Sequence, residues 1–182
     1  MALQHELKTE HGIHAQITAS GQAGRPASGA LHPLRQALGL GGNNNPPTYV
    51  LILLGANDVL SYFSRAGGPP AGAVDKLISD LKGLHGEVKS TGATSIALGL
   101  LEHPAMVKQA GGRDALRAVN KRIEAEAGAD AFIDTMALLP SSKPSFWSAE
   151  DGGIHPVLPG YRALGKHLAG PLAEILHEHK TQ

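Results

Sequence analysis

A chain of 182 residues can bury one sizeable core, and 42% apolar against 18% charged residues marks a folded domain rather than a disordered one. Lys plus Arg and Asp plus Glu both total 16, which excludes the basic excess of a general nucleic-acid surface. Cysteine is absent, and with it disulfides, thiolate metal sites and a cysteine nucleophile.

No apolar run approaches the roughly 20 residues that span a bilayer. The opening Met1-Ala2-Leu3-Gln4-His5-Glu6 lacks the basic end and apolar core of a signal peptide. Cytoplasmic is therefore the default location, with the compartment left open. Gly and Pro cluster in residues 39–47 and 67–72, which read as loops. There is neither an internal repeat nor a linker, so residues 1–182 are read as a single domain.

In chain order, residues 1–10 place Leu3 and Leu7 on one helical face, with Gly12 set to cap the end. Residues 13–18 are a short strand candidate. Residues 28–38 suit a helix through Leu31, Leu34 and Leu38. Residues 49–54 form a continuous apolar run ending at Gly55, the pattern of a buried parallel strand. Residues 73–90 give the clearest helix, with Val74, Leu77, Ile78, Leu81, Leu84 and Val88 at helical spacing. Residues 94–98 make a third strand, and 114–127 a helix with Leu116, Val119 and Ile123 inward. Residues 131–134 make a fourth strand. A last helix starts near Leu158, and Pro171 is expected to kink or interrupt it, having no N–H and crowding the turn before it. Strands alternating with helices imply a doubly wound α/β fold, a parallel sheet with helices on both faces. Ligands of such sheets bind at the carboxyl ends of the strands, which directs attention to the loops after Thr18, Leu54, Leu98 and Asp134.

Two of those regions carry chemistry. Gly55-Ala56-Asn57-Asp58 follows the second strand candidate. An Asn there can donate N–H to an oxyanion developing on an ester carbonyl; as a bare tetrapeptide it also suits a plain turn. Asp151-Gly152-Gly153-Ile154-His155-Pro156 precedes the last helix. A loop histidine with an acid just upstream suits a general base and the carboxylate that holds its tautomer, or simply a solvated loop histidine.

Taken together, the two motifs resemble the SGNH hydrolases, also called GDSL-like lipases and esterases, whose four blocks hold Ser, Gly, Asn and His. The resemblance covers nearly the whole chain in the right order. It implies the flavodoxin-like SGNH fold and hydrolysis of small-molecule esters by a serine nucleophile, without metal or cofactor. Residue by residue, it makes His155 the base, Asp151 its orienting acid and Asn57 an oxyanion donor. Residues 18–24, Thr-Ala-Ser-Gly-Gln-Ala-Gly, resemble the glycine block; on that match Gly24 donates its backbone N–H to the oxyanion, with Gly21 as the weaker alternative.

Two departures stand out. The Gly-Asp-Ser block that opens the family pattern is absent, and no nucleophile is found. Residues 1–10 resemble the tail of the helix that follows that block, so the domain is expected to be N-terminally incomplete. It should lack the first, central strand of the sheet, and the region before Tyr49 should then be the least well ordered. The second departure is spacing. The family has Asp-x-x-His, whereas Asp151 and His155 are one residue further apart, with two glycines between. Either the glycines bulge and bring the carboxylate to the ring, or Glu150 or a backbone carbonyl orients it instead.

Ser20 and Ser28 lie near the glycine block but in no Gly-x-Ser-x-Gly context. Gly21-Gln22-Ala23-Gly24 is too short for a dinucleotide loop. His177-Glu178-His179 reads as a charged tail rather than a metal site, and His85 and His103 as singletons. Two rivals remain. One is a non-catalytic SGNH-like domain that binds a small ligand. The other is an unrelated flavodoxin-like module, which would place His155 and Asn57 far apart. Acyl and alcohol specificity and oligomeric state are not encoded in any motif.

Overall fold

The computed structural model describes residues 2–22, 24–39, 46–63 and 70–178. The elements are α1 (Ala2–His11), α2 (Leu31–Ala37), β1 (Tyr49–Ile52), α3 (Ala56–Phe63), α4 (Ala73–Ser90), β2 (Thr94–Leu98), α5 (Pro104–Val107), α6 (Gly112–Glu126), β3 (Ala131–Ile133) and α7 (Leu158–Glu178). Single 3-10 turns occupy Ala27–Gly29 and Pro144–Phe146.

Among the described residues the sheet has three parallel strands in the order β1-β2-β3. Tyr49 lies opposite Thr94, and Ile96 opposite Ala131. Successive side chains of a strand point to opposite faces, and here both faces are apolar. Val50, Ile52, Ala97 and Phe132 pack with α3, α4 and α6. Tyr49, Leu51, Ile96, Leu98, Ala131 and Ile133 pack with α1 and α7. This is the doubly wound α/β arrangement, and three strands fit the expectation that the first, central strand of the family fold is not in this chain.

Residues 13–18 are a correction, because they belong to no strand. Their burial does alternate, with Ile13, Ala15 and Ile17 turned into the α1/α7 core and His14, Gln16 and Thr18 exposed. Hydrophobic alternation makes an extended segment, but a strand also needs a ladder partner, and none pairs with it among the described residues. The segment starts where α1 ends at Gly12 (φ +66°), and Ile13 N–H returns to the Leu7 carbonyl at 2.8 Å.

The helix expected over residues 28–38 is a 3-10 turn followed by the shorter α2. Pro171 is a second correction: α7 runs through it as one helix. Leu168, Ala169, Leu172, Ala173 and Leu176 are buried on both sides of the proline, so packing keeps the helix from being interrupted there. Helices α1 and α7 meet at Gly165, where an added Cβ would lie 2.8 Å from the Leu3 backbone nitrogen.

Candidate active site at the carboxyl edge of the sheet

The loops that leave the carboxyl ends of β1 and β2 are tied into the body of the protein. After β2, the buried Asn120 of α6 pairs its whole amide with one residue. Leu100 N–H donates to Oδ1 at 2.7 Å, and Nδ2 donates to the Leu100 carbonyl at 3.0 Å. Thr135 Oγ donates to the Gly99 carbonyl, and Gly99 N–H to that of Ile133 at 2.9 Å, which prolongs the β2–β3 ladder. Glu102 receives Arg113 and the hydroxyl of Ser141. After β1, Gly55 (φ +115°) lets the chain turn into α3 against the side chains of Leu77 and Leu100.

The first turn of α3 holds the glycine loop. Asn57 Nδ2 donates to the Arg25 carbonyl at 3.2 Å, and Asp58 Oδ2 accepts the Ala27 N–H at 3.0 Å. Asp58 is buried and acts as the anchor of this loop. Asn57 and the exposed Gly24 (φ +70°) are thus brought to one place, Gly24 being the neighbour of the residue that Asn57 grips. Gly21, the weaker alternative, is exposed further along the same loop.

The histidine loop is closed at its base by an antiparallel bridge between Trp147 and Pro156. Ser148 N–H donates to the His155 carbonyl at 2.8 Å, and Gly153 N–H to the Ser148 carbonyl at 2.9 Å. Inside this frame the extra residue between Asp151 and His155 is absorbed by Gly152 (φ +73°) and Gly153 (φ +90°), conformations that favour glycine. The result is a carboxylate that meets the ring: His155 Nδ1 donates to Asp151 Oδ2 at 2.6 Å. Asp151 also accepts the backbone N–H groups of Gly153 (3.1 Å), Ile154 (2.9 Å) and His155 (3.2 Å). Desolvation works against its ionisation, but the His155 bond and the three amides outweigh it and hold Asp151 below the usual carboxylate range. His155 is exposed. No serine hydroxyl bonds to its ring among the described residues.

Two residues at this edge escaped sequence reasoning. His103 is buried and donates from Nδ1 to the Ile154 carbonyl at 2.7 Å, with its ring edge-on to Trp147 at 5.4 Å. Its sequence signal was the position, a His-Pro just past the third strand candidate, in a loop already marked for inspection. Asn120 gave no signal, because a polar residue within a helix is ordinarily solvated. No group of three or more His, Cys, Asp or Glu suited to a metal occurs among the described residues. No described helix is long and apolar enough to cross a membrane.

The fold is shared with known proteins. The pattern of the GDSL-like lipase/acylhydrolase family matches residues 2–163. The psychrotrophic esterase EstA from Pseudoalteromonas sp., in a structure inhibited by monoethylphosphonate, superposes with a TM-score of 0.69 at 19% identity, over 96% of this chain and 86% of that one. A GDSL-like lipase from Bacteroides thetaiotaomicron gives a TM-score of 0.62 at 18% identity, over 95% of this chain and 81% of the other. At such identities the likeness is one of fold. No curated protein matches the chain. With the family pattern spanning most of its length, the chain belongs to the GDSL-like lipase/acylhydrolase family.

Proposed function

We propose that this chain carries the base and the oxyanion-stabilising half of a serine ester hydrolase acting on small-molecule esters. Supporting this reading above all is the 2.6 Å bond from His155 Nδ1 to Asp151, which leaves Nε2 of an exposed ring to take a proton. In this reading His155 removes the proton of an attacking hydroxyl, and Asp151 fixes the tautomer and stabilises the imidazolium. Asn57 Nδ2 and the Gly24 N–H receive the negative charge that develops on the ester oxygen. Asn57 spends one of its two amide hydrogens on Arg25 and keeps the other for the substrate. No cofactor takes part, since covalent catalysis with hydrogen-bond stabilisation is sufficient for acyl transfer.

The 182 residues contain no Gly-Asp-Ser block, and the proposal is that they do not turn over esters by the serine mechanism on their own. The rival reading, a small-ligand-binding domain without catalysis, draws on the same observation. The experiment is fluorophosphonate labelling of the folded chain, with His155→Ala as control, beside titration with an alkyl phosphonate monoester followed by NMR. The expected result is no labelling, with phosphonate binding that shifts the Asn57 side-chain amide and the His155 ring. Labelling that needs His155 would mean that another serine serves as nucleophile. Phosphonate binding that leaves both residues unmoved would refute the assigned oxyanion site.

A further inference from the structure

We propose that His103 is a positioning residue for the Asp151–His155 pair, acting through the peptide that joins Ile154 to His155. The proposal rests on the reading of His155 as the general base. That peptide is held from both ends. Its carbonyl, on Ile154, accepts His103 Nδ1–H at 2.7 Å. Its N–H, on His155, donates to Asp151 Oδ2 at 3.2 Å, the oxygen that also receives the His155 ring at 2.6 Å. A donor on a peptide carbonyl polarises the amide and strengthens the bond its N–H gives, because linked hydrogen bonds reinforce one another. His103, the peptide and Asp151 therefore form one directed series, and the His155 ring donates into the same Oδ2, so the peptide fixes the oxygen that the ring meets.

The donor is well placed for such a role. The Ile154 carbonyl can only accept, so the proton of a neutral His103 ring must sit on Nδ1. Burial, the largest influence, lowers the His103 pKa and favours the neutral ring, although the Ile154 bond and the Asp151 charge act in the opposite sense. Its ring is braced by Trp147, whose own Nε1–H is tied to the Pro140 carbonyl at 3.1 Å. The segment that carries it is locked by Asn120 at Leu100. The next residue, Pro104, lies where an added Cβ on Gly153 would be only 2.6 Å from its own Cβ, so the two loops touch without slack. A rigid, buried donor on one loop thus sets the height of a peptide on an exposed one. A histidine that merely filled the core would not depend on which ring nitrogen carried the proton.

The test is NMR of the His155 ring in the 182-residue chain, following its tautomer and the exchange of its Nδ1 proton with water. His103→Asn keeps an amide donor near the Nδ1 position, whereas His103→Gln places it near Nε2. The expected result is that His103→Gln speeds exchange of the His155 Nδ1 proton about tenfold, the loss of one hydrogen bond in a charged series, while His103→Asn stays near the parent. Equal effects of the two variants, or none, in chains with native circular dichroism would overturn the proposal. If neither variant folds, Trp147→Phe, which frees the ring brace and leaves His103 in place, is read in the same way: it should speed exchange, and unchanged exchange overturns the proposal. Asp151→Asn separates the two levels of the argument. If it leaves the His155 tautomer and exchange unchanged, the acid–base pair itself is refuted; if only the His103 variants are silent, the pair stands and the positioning role falls.

Discussion

Asp151 meets Nδ1 of His155 at 2.6 Å across a spacing one residue longer than the family's Asp-x-x-His. The two glycines between them take positive φ and let the loop bulge. The carboxylate thereby keeps three backbone amides as well as the ring. Replacing Asp151 with Asn removes the charge that these four donors share. We expect a loss of about 1–3 kcal/mol of pairing at the loop, discounted in global stability by its exposure. The measurable outcome is faster amide exchange at Gly153, Ile154 and His155 with the core unchanged. Unaltered protection of the three amides would show that the carboxylate does not organise the loop.

Oxyanion donation is tested at Asn57. Asn57→Ala should weaken alkyl phosphonate binding about tenfold, the scale of one hydrogen bond to an anion. Because the same amide grips Arg25, the Arg25 and Gly24 amide signals should move in the unliganded variant. Calorimetric affinities equal to the parent would remove Asn57 from the site.

His85 makes stability depend on pH. It is fully buried between α4 and β2, with Nδ1 on Ser95 Oγ at 2.7 Å and, among the described residues, no hydrogen-bond partner at Nε2. Burial pushes its pKa down to about 4 from 6.5. The unfolded chain therefore binds the proton first, and stability falls as pH drops from about 6.5 to about 4. The full loss is about 3 kcal/mol, from 1.36 kcal/mol per pKa unit. Urea unfolding at intervals across that range should show the decline in the parent and a flatter profile in His85→Gln. Matching slopes would mean that carboxylates, not His85, govern the acid limb.

Asn120 should matter more to stability than any surface ion pair. Asn120→Ala strands both the N–H and the C=O of the buried Leu100. At about 1–3 kcal/mol for each of the two stranded groups, the expected cost is about 2–6 kcal/mol. Arg35→Ala breaks its two-pronged pair with Glu87, on an Arg side chain 53% exposed, and should cost much less, because solvent screens such a pair. Chemical denaturation of the two variants gives the comparison, and a reversed order would contradict it.

Of the described residues before Tyr49, those that follow Gly12 should exchange their amides fastest. Residues 14–18 run along the core, and among the described residues no ladder protects their N–H groups. Helix α1, by contrast, bonds its own backbone and is pressed on α7 at Gly165. Hydrogen exchange should therefore find slow amides in α1 and fast ones after Gly12. Protection of residues 14–18 equal to that of β2 would show that the segment has a partner strand.

The sequence by itself determined the layers and supplied the candidate residues of the site. The apolar runs at Tyr49, Thr94 and Ala131, and the helical stripe over Ala73–Ser90, follow from periodicity, which a residue's own side chain dictates. Asn57 and His155 were legible because their neighbours form short local motifs. Tertiary structure decided what depends on a partner. Residues 13–18 have the alternation of a strand, yet a strand exists only where another backbone accepts its bonds. Pro171 has the local chemistry of a helix breaker, yet burial on both sides carries α7 through it. His103 and Asn120 acquire their roles from Ile154 and Leu100, residues 51 and 20 positions away in the chain. A hydrogen bond across such a separation depends on how the loops pack, and no local pattern records that.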